Sequence, residues 1–361
     1  MKKLLTSKLV MMLFFLFCIF TCVAQSKDSA AINIGLFDND EILDITIRGN
    51  IKELLNDRSD NDPYRPQNLV YKNADSTEVS LQVEAKTRGH FRKMRENCIY
   101  PPILIHFIKN EQLQSSVFKG QEKQKLVMPC LGDEYVVREW LLYKIYNLIT
   151  PASFRAKLVR VKLSDARSNK NYEPFYSILL EEEKQVTNRN NLFSVNWKMN
   201  PQDADTTAFI TTAVFEYMIA NTDWSVQYLQ NIKMMATDSL AVPIAVPYDF
   251  DHSGMVNAPY AKPAEALLMS SVKERRYRGY CVADLKVFES TIATFNRLKD
   301  DIYKLYSGCT LLNAKYIKSA LQYLDEFYAT INNPKAWQKD FGYPCKKSGT
   351  GNVVIKGMSK D

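Results

Sequence analysis

Three carboxylates stand within one stretch of the chain, at spacings that could bring them together in space. Asp223 belongs to Asn-Thr-Asp-Trp at 221–224, while Asp249 and Asp251 belong to Tyr-Asp-Phe-Asp at 248–251. Converging carboxylates repel one another unless a cation or a proton neutralises them, so their convergence would favour a divalent-metal site. The alternative is ordinary, because Asp before an aromatic residue is common in turns and Asp-x-Asp often caps a helix.

A predicted helix places the first of these carboxylates. Apolar residues recur at helical spacing after Asp205, with Asp205 or Thr206 as the N-cap and Asn221 as a left-handed stop. Asp223 is therefore expected in a loop directly after a buried helix.

A predicted hairpin returns the other two carboxylates to that loop. Segments 231–236 and 242–247 flank the polar tripeptide Thr-Asp-Ser at 237–239. Two short apolar segments around such a turn predict an antiparallel pair, which would bring Asp249 back towards Asp223.

The order of these elements is how protein kinases present a catalytic base and a magnesium ligand. Asn-Thr-Asp at 221–223, Asn231 and Pro-Tyr-Asp-Phe-Asp at 247–251 resemble the signature of the CotH-like atypical protein kinases. The chain is similar to uncharacterised secreted bacterial members of that superfamily from about Arg88 to Gly279. The resemblance implies an α+β, two-lobed protein-kinase-like fold with a strand-rich N-terminal lobe and a mainly helical C-terminal lobe.

The resemblance also implies a role for each acidic residue. Asp223 would accept the proton of an acceptor hydroxyl, Asp249 would bind Mg²⁺ or Mn²⁺, and Asn231 and Asp251 would assist as metal ligands. The chain departs from the family where kinases place a metal-binding Asn five positions after the catalytic Asp, because Tyr228 stands there. Gln227 and Asn231 are the nearest candidates, so the second metal ligand stays open.

A kinase-like site needs a strand lysine paired with a helix glutamate to orient the phosphates of ATP. Lys125, in a predicted strand at 123–128, and Glu139, in a predicted helix at 134–148, fit these roles. Lys123 and Glu134 compete for the same roles.

The nucleotide phosphates would lie under the turn Arg-Gly-His-Phe-Arg at 88–92. There Gly89 lets the backbone approach, and Arg88 and Arg92 supply charge-assisted hydrogen bonds. A hairpin turn with solvated arginines is the alternative interpretation. Glu181, Glu182 and Glu183 would lie at the adenine-binding hinge or, as a charge run, at a solvated strand end.

The periodicity of the chain changes near Asn190, from period 2 to period 3.6. The predicted domains are a signal peptide at 1–25, a strand-rich lobe at 26–187, a helical lobe at 188–335 and a loosely ordered tail at 336–361. Besides 123–128, strands are predicted at 43–48, 68–72, 79–88, 103–107, 154–163 and 175–180. Two amphipathic helices are predicted at 285–302 and 312–331.

The first 25 residues have the layout of a secretory signal peptide, with three lysines, an apolar run from Leu9 to Phe20 and a small-residue exit. Acylation of Cys22 in a lipoprotein is a minor alternative. Removing the segment lowers the formal net charge from +7 to +4, which does not indicate a nucleic-acid surface. No other apolar run reaches the roughly 20 residues that a membrane span needs.

Five cysteines lie beyond that segment, so at least one thiol stays free or pairs between chains. In an oxidising compartment Cys98 and Cys130 are the plausible pair, because each ends a predicted strand region. Three histidines far apart in the sequence and the absence of Cys-x-x-Cys argue against zinc.

We therefore expect a secreted or periplasmic phosphotransferase that uses ATP and a divalent metal on an unknown protein or small-molecule acceptor. ATP is scarce outside the cytoplasm, so the alternative is a secreted binding or assembly protein with a degenerate kinase-like cleft. A metal-assisted hydrolase using the same carboxylates is a third hypothesis.

Overall fold

The structure is a computed structural model that describes residues 35–59 and 61–346. The predicted signal peptide at 1–25, with Cys22, lies outside the described residues, and so does the end of the predicted tail, from 347 to 361.

Seven strands of the main sheet close into a barrel. Along the sheet the order is β1, β2, β3, β4, β5, β8 and β6, and β6 pairs in parallel with β1, Leu43 lying opposite Val159 and Gly49 opposite Asp165. The strands are β1 (Leu43–Gly49), β2 (Arg65–Lys72), β3 (Glu78–Thr87), β4 (Ile103–Phe107), β5 (Lys123–Val127), β6 (Ala156–Asp165), β7 (Lys170–Asn171, paired only with β6) and β8 (Phe175–Leu180). Closure pairs both long edges of the sheet, which leaves no open edge between β1 and β6.

Apolar residues at every second position fill the barrel. On β3, Leu81, Val83 and Ala85 are buried while their neighbours are more exposed, as the alternation in the sequence predicts. The helix α1 (Ile51–Asn56) adds Ile51 and Leu54 to this core, and the short α2 (Glu111–Gln114) adds Leu113. Burial of these side chains is the main stabilising contribution to the barrel.

The remaining helices and a small second sheet follow the barrel strands along the chain. Helix α3 falls between β5 and β6, and the others come after β8. These elements are α3 (Asp133–Ile149), α4 (Glu183–Asn190), β9 (Phe193–Val195), α5 (Thr206–Met218), β10 (Ile232–Ala236), β11 (Ile244–Pro247), α6 (Val287–Ser307), α7 (Ala314–Ile331) and α8 (Pro334–Phe341). The second sheet has the order β11-β10-β9, with antiparallel pairing throughout.

The predicted two-lobed protein-kinase-like fold is wrong. The pairing of β1 with β6 closes the strands into a seven-stranded barrel instead of leaving an open sheet in a separate lobe. A continuous core also joins barrel strands to the C-terminal helices, since Leu158 of β6, Val137 of α3 and Phe295 of α6 belong to one buried cluster. Period-2 patterning is the same for an open sheet and a closed one, so the sequence pattern did not distinguish them.

Most predicted elements are present, with ends shifted by at most three residues, except that α6 continues to Ser307, five residues beyond its predicted end. The boundary predicted between residues 187 and 188 falls inside α4. The part of the predicted tail that the structure describes is helical, because the Asn333 side chain caps α8 and Trp337 and Phe341 are buried. The segment 188–200 contains β9, a strand that the sequence analysis did not predict.

The predicted disulfide is confirmed, since the structure joins Cys98 to Cys130. A second disulfide, which the sequence analysis did not assign, joins Cys281 to Cys345, and Cys309 is the free cysteine of the described residues. Two disulfides fit an extracellular or periplasmic location. Across the described ranges, no helix combines the length and apolar character required to cross a bilayer.

Candidate functional site

All eight residues that the sequence analysis assigns to a site line one cavity of about 630 Å³. They come from the turn after β3, from β5, from α3, from the loop after α5 and from the segment after β11. These residues are Arg88, Arg92, Lys125, Glu139, Asp223, Asn231, Asp249 and Asp251. The expected convergence of three carboxylates is therefore present.

Helix α5 ends just before the first carboxylate. The Asp205 side chain caps its start by accepting from the backbone N–H of Ala208 at 2.8 Å, as the sequence predicts. Its end differs from the prediction, because Ala220 and not Asn221 takes the left-handed conformation, with φ +53°. The Asn221 side chain instead orders the loop after the helix, because its oxygen accepts a hydrogen bond from the backbone N–H of Asp223 at 3.0 Å.

Two amides and an arginine fix Asp223. The amide of Gln230 donates to Oδ1, and Nδ2 of Asn231 donates to Oδ2 at 3.1 Å and to the backbone oxygen of Asp223 at 2.7 Å. The guanidinium of Arg278 donates to the backbone oxygens of Thr222 and Trp224 on either side. Burial raises the pKa of Asp223, and His252 opposes the shift. Asp223 is therefore a preoriented and partly desolvated carboxylate, and these are properties that a general base needs.

The hairpin places Asp249 next to Asn231. Ile232 of β10 lies opposite Pro247 of β11, and the backbone N–H of Tyr248 donates to the backbone oxygen of Asn231 at 3.0 Å. The predicted hairpin is thus confirmed, with β9 as an unpredicted third strand.

Asp249 has φ +65°, and its backbone N–H donates to the Tyr143 hydroxyl at 2.9 Å. Its carboxylate forms no hydrogen bond, and no ion pair within 4.0 Å, with any residue that the structure describes. Burial and the nearby Asp251 raise its pKa to about 6, against the opposing charges of Arg92 and Arg88. A carboxylate held in this way lacks a neutralising partner.

Asp251 already has partners within the protein. It accepts from the Tyr260 hydroxyl at 2.9 Å, and its Oδ2 lies 3.7 Å from Nη1 of the half-buried Arg92. Arg92 also donates to the backbone oxygen of Met128. Asp251 and Arg92 therefore hold the turn after β3 against the segment after β11, which limits how far either can turn to a metal or a phosphate.

Lys125 and Glu139 line the same cavity but do not form the predicted ion pair within 4.0 Å in the described part of the chain. Burial and the Asp251 and Asp249 charges raise the pKa of Glu139 well above its ordinary value, while the charge of Arg92 and the nearby Phe250 backbone N–H oppose the shift. Lys125 lies over the Tyr248 ring, 5.4 Å from its centroid, and burial, followed by the charge of Arg88, lowers its pKa to about 8.

The competing candidates Lys123 and Glu134 do not line the cavity. Glu134 precedes Glu139 by five residues and therefore lies on another face of α3. Lys123 shares a strand face with Lys125 but lies at the start of β5, opposite His106, away from the cavity.

The turn at 88–92 lies at the rim. Gly89 has φ +82°, and a Cβ built there would meet nothing within 4 Å, so the glycine serves the backbone conformation and not close packing. Phe91 packs edge-on against His252, with ring centroids 5.9 Å apart.

Charged side chains of two further segments have structural roles. Glu181 is fully buried and pairs with Arg155 at 3.0 Å and Arg189 at 2.9 Å, so the solvated strand end is wrong for this residue. In the basic segment 273–279, Arg275 stacks on Tyr323, while Arg278 holds the Asp223 loop as described above.

Sequence reasoning missed several residues of the site, above all Gln230, Tyr143 and Tyr260. Tyr143 had a usable signal, because it follows Glu139 by four residues and therefore lies on the same face of α3. Gln230 and Tyr260 had none, since their roles depend on loop conformation.

The side chains of Asp249 and Asn231 fit a magnesium or manganese ion whose remaining coordination positions would be filled by water and a bound ligand. Within 35–59 and 61–346, no three His, Cys, Asp or Glu side chains are grouped as a protein-only metal cage requires. Mg²⁺ usually takes one or two carboxylates together with water and substrate phosphates. Asp249, with its carboxylate unpartnered, and Asn231 beside it are the residues that would hold such an ion.

No model of a known protein family and no curated protein matches the chain. The resemblance of its short motifs to those of the CotH-like kinases stays a prediction.

Proposed function

We propose that this chain is a metal-dependent phosphotransferase that moves the terminal phosphoryl group of ATP to an acceptor hydroxyl. The observation that carries the proposal is the Asp249 carboxylate, which lies half-buried in the cavity near Asp251, with its pKa raised to about 6 and without a hydrogen-bond or ion-pair partner among the described residues. A site that keeps such a group requires a ligand that supplies positive charge.

Each remaining side chain has a task in this proposal. Mg²⁺ or Mn²⁺ bound by Asp249, with help from Asn231, would neutralise phosphate charge. Lys125 and Arg88 line the same cavity and supply cationic groups for the phosphate oxygens. Asp223, held by Gln230 and Asn231, would accept the proton of the acceptor hydroxyl.

The roles predicted for Asp251, Arg92 and Glu139 are revised in this proposal. Asp251 and Arg92 bind each other, so we assign them to positioning and not to direct binding of metal or phosphate. Glu139 neighbours Asp249 and Asp251, where a bound metal would allow it to ionise.

We also propose that the protein works outside the cytoplasm, secreted or in the periplasm. The two disulfides support an oxidising compartment. The alternative is a binding or assembly protein with an inactive cavity. One observation favours it, because Lys125 has no acidic partner within ion-pair distance among the described residues. The scarcity of ATP in that compartment favours it as well.

Calorimetric titration of Mg·ATP into the parent, Asp249→Ala and Asp300→Ala tests the proposal. The parent should bind Mg·ATP and not ATP with EDTA, and Asp249→Ala should lose at least about 10-fold in affinity, since the metal loses its carboxylate. Asp300 is an exposed aspartate of α6, so its removal should change nothing. A parent that binds no nucleotide with either metal would favour the inactive-cavity alternative.

A further inference from the structure

A second cavity of about 480 Å³ adjoins the first. Lys198 and Tyr228 line both cavities, so these two side chains form a shared wall. The second cavity is otherwise lined by Trp197, Met199, Asn200, Asp203, Gln227, Ala241 and Pro243. Its position beside the site makes it a candidate for the part of the site that holds the acceptor.

A tight turn connects the second cavity to Asp223. The backbones of Ser225 and Gln230 exchange two hydrogen bonds of 2.9 Å, which closes the turn, and the Gln230 amide donates to Asp223. Gln227 and Tyr228 lie at the tip of the same turn. A molecule bound against this tip therefore lies beside the groups that orient Asp223.

The lining offers aromatic faces and unused hydrogen-bonding groups. Trp197 is 60% exposed and makes no ring contact or side-chain hydrogen bond within the described residues. The Gln227 amide likewise makes no hydrogen bond to a described residue. Lys198 lies over the Tyr228 ring at 5.6 Å from its centroid, and the backbone N–H and amide of Asn200 orient the Asp203 carboxylate at 3.1 and 3.2 Å.

These groups match a saccharide better than a peptide. A sugar ring presents C–H faces that pack on Trp and Tyr rings, and hydroxyl groups that pair with amides and carboxylates. A peptide would seek apolar pockets, yet Met199, Ala241 and Pro243 are the only aliphatic residues that the structure describes in this lining, and the strongly exposed Leu240 and Val242 on either side of Ala241 do not contribute to it. Lys198 and Asp203 supply one charge of each sign, which suits a neutral ligand.

We propose that this second cavity binds a neutral saccharide and presents one of its hydroxyl groups to Asp223. The inference rests on the proposed function. In the transfer, the sugar oxygen forms a bond to the terminal phosphorus of ATP, and the bond from that phosphorus to the bridging oxygen breaks. The hydroxyl proton passes to Asp223, and ADP leaves with the electron pair of the broken bond.

The test screens the full mature chain, without nucleotide, on an array of neutral oligosaccharides and on a library of Ser- and Thr-containing peptides. Array binders are then titrated by calorimetry. At least one neutral oligosaccharide should bind, and Trp197→Ala and Gln227→Ala should each weaken it, the former by about 10-fold or more. The control Leu240→Ala removes a side chain that is 94% exposed and outside the cavity, and it should bind as the parent does.

Three results would overturn the inference: no oligosaccharide binds, Trp197→Ala binds as well as the parent, or peptides bind instead and lose affinity in Trp197→Ala. The first two remove a saccharide site from this cavity, and the third replaces the saccharide by a peptide acceptor. Because saccharide binding is measured without nucleotide, its failure is separate from failure of Mg·ATP binding, which tests the proposed function itself.

Discussion

The interior of the barrel is filled by apolar side chains, whereas the cavity beside it is lined by charged ones. Buried apolar residues such as Ile47, Leu81 and Ile105 fill the barrel, and every barrel strand pairs on both sides. The cavity instead gathers Glu139 and Asp249 close to Asp251, and burial, followed by the charge of Asp251, raises the pKa of the first two. Burial of apolar side chains in the barrel stabilises the folded state, whereas the carboxylates gathered in the cavity lower its stability.

Backbone conformation shows the same contrast. Four non-glycine residues of the cavity region, Ala220, Leu229, Asn231 and Asp249, have φ between +51° and +65°. The seven barrel strands contain no such residue. Left-handed conformations of non-glycine residues cost about 1–3 kcal/mol each and persist where the surrounding structure imposes them. The loops that carry Asp223 and Asp249 therefore contain left-handed backbone that the extended barrel strands do not.

The largest expected effect concerns chemistry. Asp223→Ala should lower Mg-dependent ATP turnover by about 10²-fold or more, because the base is lost, while Mg·ATP affinity stays within about 3-fold of the parent. ADP release measures turnover and calorimetry measures affinity, with Asp300→Ala as the control. Equal loss of affinity in Asp223→Ala and Asp249→Ala would remove Asp223 from the role of base.

The barrel should show the reverse pattern. Ile105→Ala should lower the free energy of unfolding by about 2–5 kcal/mol, since it leaves a cavity in a core where Ile105 is fully buried. Mg·ATP affinity of the folded variant should not change. Urea unfolding measures the loss, and Ile108→Ala, at a side chain 40% exposed, is the matched control. A loss of nucleotide affinity in Ile105→Ala would couple the two regions.

The smallest expected effect is a gain in stability from removing a charge. The pKa of Asp249 is raised from 3.8 to about 6 in the folded state, so the free energy of unfolding falls as pH rises through that window. Asp249→Asn cannot ionise and should exceed the parent by on the order of 2 kcal/mol at pH 7. At pH 4 the gain should be nearly absent.

Thermal and urea unfolding at both pH values measure this difference between variant and parent, with Asp300→Asn as the control. A variant less stable than the parent at pH 7 would contradict the repulsion that we infer at Asp249.

Local patterns were sufficient for the elements and for most of the site. Strand β4 and strand β8 have the predicted bounds, and the hairpin of β10 and β11 returns Asp249 to Asn231 as expected. Alternation, helical spacing and turn residues act within a few positions of the chain, so the sequence shows them directly.

Contacts between distant segments were not accessible in this way. Lys125 and Glu139 share the cavity but are not an ion pair, and Asp251 is paired with Arg92, 159 positions earlier in the chain. Such partners depend on where whole elements pack, which no local pattern records.

By itself, the sequence determined which residues alternate and where the chain turns, and it favoured the Cys98–Cys130 pairing and the meeting of three carboxylates. Only the tertiary structure decided that β6 returns to β1 and closes a barrel, since open and closed sheets share one period. It also decided which charges remain unpartnered. Burial and the positions of distant elements set the environment of Asp249, and neither is a property of its neighbours in the chain.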